Sequence, residues 1–459
     1  MCGEINNHDK LLRVYVDHGE AYGNLGDEAM LLNAFDRLTR YLGPCHFILP
    51  KEDERPLPVG LSQVEFILPP RLIFLRRVEV LRRWFNKLNR IPGAWKWLRK
   101  PNNLFFWRLA TWWIKLEATL TTLGLRRSTM AGLDPFRNLL STCDVFYGVG
   151  AAGLNDCSPG VLLYKAWLYS EARRFVKVSA LSSQGLGPFQ TRWAKPLLCK
   201  AFSKLDLLSF RDFRNSYDWV HVDSPKGVRY KVTGDEAFTL IPSEPDRIAA
   251  YLVSVGLPKQ ESFIAIHFRA TDYTQDTQSF LPRIAEILDG LLRQISHHLV
   301  FFPMSYDLHS GDDELYGRRI RELMCEKERM HIAPASRDVR LVKGAIGRAR
   351  YSLGLSYHVH VFSLSQGHPA LVLYTGEYYR YKSEGLIDYY GRPSVALDMN
   401  NATIASIIAA CKAIENDYAS VCHAIERVNQ QILMDNDWVL KEMASMLNRT
   451  VPVSLAIGK

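Results

Sequence analysis

A short stretch near the start of the sequence, YGNLGDEAML, combines two glycines with two adjacent carboxylates. Gly23 and Gly26 leave room for a ligand to approach the backbone at the start of a helix that begins near Asp27. Asp27 and Glu28 suit the positive end of a helix dipole but would repel a phosphate. The stretch therefore favours sugar hydroxyls as ligands, with Asp27 as a general base. Helix capping alone is the alternative, because Asp at a helix start needs no ligand.

Two further glycine clusters follow predicted strands in the same half of the sequence. They are GVGAAGLND at 148–156 and SSQGLGP at 182–188. Because the carboxyl ends of parallel strands meet at one edge of a sheet, we expect all three loops to line one cleft. Tight turns alone are the alternative. The residues of these loops that we predict to bind a saccharide, the acceptor in the reaction discussed below, are Gly23, Asn24, Gly26, Glu28, Gly150 and Gln184.

The second half of the sequence supplies cationic and titratable groups at predicted strand ends. Arg269 follows a strand and suits a bidentate grip on phosphate or carboxylate. Ser356, His358 and His360 lie where another strand gives way to a helix, a position from which a histidine can donate a proton. We predict that His358 is a catalytic residue. We predict that the anionic ligand, the donor in the reaction discussed below, is bound by Arg269, His360, Lys382 and Ser356. A packed, hydrogen-bonded core histidine is the alternative for each histidine.

Histidine and cysteine spacings give no sign of a metal site. His358 and His360 are two residues apart, unlike the pair in His-x-x-x-His, and the eight cysteines are scattered without a Cys-x-x-Cys pair. We therefore predict no metal and reduced thiols. The opening MCGEINNHDK lacks the basic stretch and apolar core of an export signal, so we expect a cytoplasmic protein.

Short apolar runs alternate with helix-period stretches over most of the 459 residues, which predicts parallel strands joined by crossover helices. The predicted strands are 11–16, 46–49, 64–68, 145–149, 176–181 and 205–210, then 263–268, 299–303, 330–333, 351–355 and 370–374. Two prolines in IPSEPD indicate a domain boundary near 242. We predict an α/β fold of two Rossmann-like domains facing a cleft. The predicted units are 1–242, 243–400 and C-terminal helices at 401–459.

The excess positive charge lies in one segment, residues 71–127. The chain has a net charge of +9, and this segment carries fourteen basic residues against two acidic ones, together with six of the ten tryptophans. A Trp-rich apolar face beside Lys and Arg is typical of a helix lying in a membrane interface, whereas its internal charges disfavour spanning. We predict a helical insertion in the first domain that docks on an anionic membrane. Amphipathic helices packed on the core, or a groove for an acidic polymer, are the alternatives.

Several stretches, in order along nearly the whole chain, resemble the polysaccharide pyruvyl transferase family. They are YGNLGDEAML, GVGAAGLND, QGLGP, SFRD at 209–212, TGDEAF at 233–238, FRATDY at 268–273 and GLSYHVHVFSLSQGHP followed by YYRYKSEGL. The resemblance implies a GT-B-like fold and transfer of a pyruvyl group from phosphoenolpyruvate to a sugar as a ketal. It also implies an acceptor side in the first domain and a donor side in the second.

One position departs from the family pattern. An Arg-Leu-His-like triplet of pyruvylating members falls on Ser356, Tyr357 and His358, so the histidine is kept and the arginine is lost. Loss of a guanidinium removes a charge-assisted hydrogen bond that contributes about 1.5 to 3 kcal/mol.

The leading hypothesis is a transferase that modifies a surface polysaccharide or its lipid-linked precursor, with phosphoenolpyruvate as co-substrate and no other cofactor. Arg269 would hold the donor's anionic end, His358 would protonate its methylene carbon, and Asp27 would take the proton of the acceptor hydroxyl. Carboxylates are expected on the first domain's wall and cations on the second's. We expect a saccharide and an anionic membrane surface on its cytoplasmic side as partners, and no nucleic acid.

Two alternatives stay open at this point. One is a GT-B glycosyltransferase with a nucleotide-sugar donor. The other is a catalytically silent, glycan-binding subunit of an export complex, which the lost arginine at position 356 favours.

Overall fold

Two parallel sheets organise the chain in the computed structural model. The described residues are 11–18, 22–51, 57–61, 64–76, 133–151, 153–223, 225–258, 261–269, 277–306, 313–391 and 395–449. Most of the predicted basic insertion therefore lies outside the described residues. Within them, no helix has the length and apolar character needed to cross a membrane.

The first sheet has seven strands in the order β3-β2-β1-β4-β5-β6-β7, all parallel. They are β1 (Leu12–Asp17), β2 (Cys45–Pro50), β3 (Val64–Ile67), β4 (Val145–Gly148), β5 (Val178–Gln184), β6 (Leu207–Phe210) and β7 (Arg229–Val232). The helices around it are α1 (Leu25–Leu42), α2 (Asp134–Ser141), α3 (Pro159–Phe175), α4 (Ala194–Phe202) and α5 (Asp218–Asp223).

Helices cover both faces of this sheet. Val14 and Val16 pack in the core that contains α1, while Tyr15 between them packs in the core that contains α3 and α4. Side chains alternate between the two faces along a strand, and both faces are buried, so the strand reads as a continuous apolar run.

The second sheet has the order β10-β9-β8-β11-β12-β13 and is also parallel. Its strands are β8 (Phe263–His267), β9 (His298–Phe301), β10 (Met330–Ile332), β11 (Ser352–Gly354), β12 (Ala370–Tyr374) and β13 (Ala396–Asp398). Its helices are α6 (Pro245–Ser254), α7 (Thr277–Leu292), α8 (Asp313–Leu323), α9 (Val339–Ile346), α10 (Tyr357–Leu364) and α11 (Gly376–Tyr389).

In each sheet the strand order reverses once, between β1 and β4 and between β8 and β11. In open α/β sheets, ligands bind outside the carboxyl ends of the strands at such a reversal. The residues that end these strands are therefore the ones positioned to form a site.

Three C-terminal helices join the two halves: α12 (Ile404–Asn416), α13 (Tyr418–Asn436) and α14 (Trp438–Met446). Helix α12 packs on α7 of the second domain, whereas α14 returns to α1, β5 and β6 of the first. Asp437, just before α14, is 2.8 Å from the guanidinium of Arg37 and accepts a hydrogen bond from the Tyr41 hydroxyl. The chain end thus closes back on the first domain.

Eleven strands lie where the sequence predicts them. The two strands that the sequence reading missed, β7 and β13, are at the edges of the sheets. Strand β7 has the sequence RYKV, of which only Val232 is buried, and β13 has only three residues. Neither forms the buried apolar run used to predict the others. The boundary near 242 stays a prediction, with β7 ending before it and β8 beginning after it.

Candidate active site between the two domains

Asn24 fixes the first turn of α1. Its side-chain oxygen accepts hydrogen bonds from the backbone N–H groups of Gly26 (2.9 Å) and Asp27 (3.4 Å). Such an N-cap satisfies donors that a helix start leaves unpaired. Asn24 therefore has a structural role, and the cap sets the turn from which Asp27 reaches the cavity described below.

A joint between the domains is built on Gly23 and Glu28. Oε1 of Glu28 accepts hydrogen bonds from the Gly23 N–H (2.9 Å) and from the hydroxyl of Tyr306 in the second domain. The Gly23 carbonyl accepts from the Tyr306 N–H, and the Leu25 N–H donates to the Met304 carbonyl, both at 2.9 Å. Burial raises the pKa of Glu28 to about 7. Gly23 and Glu28 therefore help to hold the two domains together, and their binding of the acceptor stays a prediction.

His358 brings the second domain against the same turn of α1. Its imidazole lies so close to Gly26 that a β-carbon added there would be 1.9 Å from Nδ1. Its Nε2 is buried and has no hydrogen-bond partner in the part of the chain that the structure describes. Burial lowers the pKa of His358 to about 4, so the imidazole is neutral near pH 7. The predicted acid thus lies against the helix turn that carries the predicted base, Asp27.

Asp27 and His358 share one electrostatic environment. Burial raises the pKa of Asp27 to about 6, and the nearest charges that act on it are Lys382, Asp235 and Arg211. The same three side chains act on His358, where Asp235 opposes the effect of burial. A carboxylate with a pKa near 6 is well matched to general base catalysis at neutral pH.

Two cations flank the ring of Tyr357. The guanidinium carbon of Arg211, from the end of β6, is 4.5 Å from the ring centroid, and Nζ of Lys382, on α11, is 5.7 Å from it. Arg211 is 6% exposed, and its Nη1 is 4.0 Å from Oδ2 of Asp235. The guanidinium of Arg211, in the first domain, therefore lies beside Tyr357. The preceding residue, Ser356, occupies the position of the arginine in the family triplet.

A cavity of about 260 Å³ opens beside Asp27. Its walls come from the carboxyl ends of β1, β4 and β5, from α3 and from α11, so it lies at the strand-order reversal of the first sheet. The cavity is lined by five charged residues, one histidine and one glutamine: Asp17, Asp27, Arg71, Lys165, Lys382, His18 and Gln184. Three predicted site residues line it, Asp27, Gln184 and Lys382, whereas His358 contacts the turn of α1 that carries Asp27 but does not line the cavity.

His360 is a core residue. It is 0% exposed, and its Nε2 donates to the Gly354 carbonyl at 2.9 Å. Its Nδ1 is then an acceptor and receives the hydroxyl hydrogen of Ser352, also at 2.9 Å. Both ring nitrogens are thus used inside the domain, as in the packed core histidine that was the alternative, and donor binding by His360 stays a prediction.

Arg269, Gly150 and Ser356 do not line this cavity. Nη1 of Arg269 is 3.4 Å from Oδ1 of Asp313, and the Gly150 N–H donates to Oε2 of Glu236 at 2.8 Å. Ser356 is half-buried at the N-cap of α10, and its side chain makes no capping hydrogen bond. Their roles in ligand binding stay predictions.

A model of the polysaccharide pyruvyl transferase family matches residues 24–377, which is more than half of the chain. The chain belongs to this family. The matched span runs from Asn24, the cap of α1, through His358 and into α11, so it includes both walls of the site. The protein is accordingly a transferase.

Solved glycosyltransferase structures share the fold. One is Glycyrrhiza uralensis UGT73P12 complexed with glycyrrhetinic acid 3-O-monoglucuronide, at 10% identity and a TM-score of 0.54, covering 96% of each chain. Another is Arabidopsis thaliana UGT89C1 complexed with quercetin, at 11% identity and a TM-score of 0.51, covering 95% of this chain and 100% of that one. Identities this low show the fold alone, and the predicted GT-B-like pair of Rossmann-like domains is confirmed.

The distribution of charge in this pyruvyl transferase family member differs from the expectation. Arg211 and Lys165 are cations of the first domain, so carboxylates and cations are not segregated onto opposite walls. Nζ of Lys165 is 2.6 Å from both carboxylate oxygens of Asp17. Among the described residues, no three His, Cys, Asp or Glu side chains form a candidate metal site, and the absence of a metal stays a prediction.

Arg211, Asp235, His18 and Lys165 are among the polar residues of the site that sequence reasoning missed. Arg211 and Asp235 lie in SFRD and TGDEAF, two stretches that carried the family resemblance, but spacing alone does not place them beside the histidine. His18 and Lys165 lie outside every motif, and only the sheet order brings them together.

We expect Gly26→Ala to lower turnover by about 10²-fold, because the new methyl group displaces the imidazole of His358 and a positioned general acid contributes about 10² to 10⁴-fold. Steady-state kinetics give the effect, and a thermal melt shows whether the fold persists. Ser141→Ala, at an exposed position on α2, is the control. Wild-type turnover in Gly26→Ala would contradict the contact.

Proposed function

We propose that this protein transfers the pyruvyl group of phosphoenolpyruvate to two hydroxyls of one sugar, in a surface polysaccharide or its lipid-linked precursor, and releases phosphate. The observation that carries the proposal is the contact between His358 and the first turn of α1. It sets a proton donor of the second domain beside the turn that carries Asp27, a base of the first.

The reaction needs a base for the attacking hydroxyl and an acid for the methylene carbon. Asp27 is ionised at neutral pH and accepts the hydroxyl proton. His358 supplies the proton that converts the methylene group to a methyl group. His358 is neutral near pH 7 in this structure, and an anionic donor beside it would raise its pKa because a negative charge favours the imidazolium form. Donor binding would therefore favour the protonated form of His358, which is the form that can act as the acid.

The phosphate and carboxylate of the donor need cations, and Arg211 and Lys382 lie in the environment of His358. The two side chains approach the Tyr357 ring from different domains, so a donor between them contacts both walls. The planar fork of Arg211 suits either anionic group. In this proposal Arg211 compensates for the serine at position 356, and Arg269 is a further predicted contact.

Purified protein incubated with labelled phosphoenolpyruvate and lipid-linked oligosaccharide should release phosphate and add a pyruvyl ketal to the glycan. His358→Ala should lower ketal formation by about 10² to 10⁴-fold, while His423→Gln, an exposed position on α13, should not. Phosphate release and glycan mass are the readouts.

Two results would replace the proposal. Thermal stabilisation by a uridine or guanosine diphosphate sugar, but not by phosphoenolpyruvate, would indicate a nucleotide-sugar glycosyltransferase. Acceptor binding without consumption of any donor would indicate a silent glycan-binding subunit.

The pH dependence tests the base. As pH falls through about 6, Asp27 becomes protonated and loses its ability to accept a proton, so kcat/KM of the wild type should decrease. Asp27→Asn should be slower by about 10² to 10⁴-fold and should lack this acidic limb. Asp246→Asn, an exposed position on α6, serves as the control. An unchanged acidic limb in Asp27→Asn would assign the titration to another group.

We further propose that residues 71–127 dock the protein on the anionic cytoplasmic face of a membrane. The support is compositional: fourteen basic residues, two acidic residues and six tryptophans in one segment. At about 1 kcal/mol per basic residue near an anionic surface, half of these charges suffice for reversible binding. Such docking brings the site to a lipid-linked acceptor.

Flotation with vesicles tests this docking. The protein should float with vesicles that contain phosphatidylglycerol and stay in the soluble fraction with pure phosphatidylcholine, and added salt should release it. Replacement of Arg82, Arg83, Arg99 and Lys100 by Gln should weaken flotation. Equal soluble recovery with both vesicle types would count against docking.

A further inference from the structure

Formation of a cyclic ketal requires two deprotonations. Two C–O bonds form at the same donor carbon, so two acceptor hydroxyls must each lose a proton. The proposed function supplies Asp27 for one of them. The present inference rests on that proposed function and concerns the second proton.

His18 follows β1 and lines the same cavity as Asp27. Its Nε2 is 2.9 Å from the backbone carbonyl oxygen of Asp27. A carbonyl oxygen only accepts hydrogen bonds, so Nε2 carries the hydrogen and donates it. The imidazole is 5% exposed, and its burial lowers the pKa to about 4. The ring is therefore neutral, with a lone pair on Nδ1.

That lone pair has no donor in the described part of the chain, although Nδ1 is shielded from solvent. Two charged groups, Asp17 and Lys165, shift the pKa of the ring in opposite directions and form an ion pair with each other. Buried polar atoms are almost always hydrogen-bonded in folded proteins. An acceptor without a donor, on a residue that lines a ligand cavity, points to a donor on the ligand, and a sugar hydroxyl is such a donor.

We propose that Nδ1 of His18 is the second base of the reaction and takes the proton of the second acceptor hydroxyl. One hydroxyl proton goes to Asp27 and the other to His18, while His358 gives a proton to the methylene carbon. Two C–O bonds form at the donor carbon, and its bond to the phosphate oxygen breaks with the electron pair leaving on phosphate. His18 then protonates the departing phosphate, and solvent exchange moves the proton of Asp27 back to His358, so all three groups return to their starting state.

The hydrogen bond from His18 to the Asp27 backbone ties the two bases together. One stands at the end of β1 and the other in the first turn of α1, so their spacing is fixed by rigid elements of a single domain. Two bases at a fixed spacing select two hydroxyls at a fixed spacing, as in a diol on one sugar ring. The acceptor class is therefore a ring diol, not a pair of hydroxyls on separate sugars.

Two substitutions of His18 distinguish a role as a base from a role that only positions Asp27. In His18→Gln the side-chain amide N–H still reaches the Asp27 carbonyl, but no basic nitrogen remains; His18→Ala removes both. Both variants should lose about 10² to 10⁴-fold in ketal formation, and His18→Gln should keep the wild-type melting temperature and phosphoenolpyruvate affinity. Wild-type ketal formation in His18→Gln would overturn the proposal. His423→Gln is the matched control.

The ratio of phosphate to ketal gives a second readout. Without the second base, the adduct with one C–O bond loses phosphate and reacts with water, so His18→Gln should release pyruvate and more phosphate than ketal. A phosphate-to-ketal ratio of one in this variant would mean that only the first step is affected, and would overturn the role. If the wild type forms no ketal with any saccharide tried, the proposed function fails and this inference with it; if the wild type is active and His18→Gln equals it, only the inference fails.

Discussion

The joint between the Gly23 loop and the second domain is the contact on which the site depends. Asp27 and His358 belong to different domains, and hydrogen bonds from the Gly23 backbone and Glu28 to Tyr306 hold the turn that carries Asp27 against the domain of His358. The joint is a set of directional hydrogen bonds around a buried carboxylate, and directional bonds fix orientation where apolar packing alone fixes only proximity. Helix α14 adds a second link by returning to α1.

Burial at this joint also sets the protonation states. The same desolvation raises the pKa of Asp27 and lowers that of His358, because it disfavours the charged form of each. Near pH 7 the site consequently holds an Asp27 carboxylate close to its pKa and a neutral His358 imidazole. Lys382 counteracts the effect of burial on the pKa of the carboxylate but reinforces it on that of the imidazole. In the proposed reaction, an anionic donor would raise the pKa of His358 and so link donor binding to proton supply.

Much of the fold is readable from the sequence, because buried parallel strands are continuous apolar runs. The short edge strands β7 and β13 escape this reading, since an edge strand needs neither length nor two apolar faces. The site is readable in part. Asp27 stands in a glycine-rich stretch that opens a helix, whereas His360 shares the strand-to-helix junction of His358 and yet turns into the core. Two residues apart, they differ in orientation, which only the exact start of α10 decides.

Cations and carboxylates both occur on the first domain's side of the site, although the sequence predicted carboxylates on one wall and cations on the other. This mixture has a physical reason. In the proposed reaction, a donor with two anionic groups lies beside a base that is itself an anion, and unscreened repulsion between them would raise the free-energy cost of binding. Arg211 and Lys382 beside the Tyr357 ring would place positive charge near both. Because these two cations come from opposite domains, the proposal has the guanidinium of Arg211 in one domain compensate for the serine at position 356 of the other. A site between two domains can therefore keep its net charge when one domain loses a charged residue, because a residue of the other domain can supply an equivalent charge.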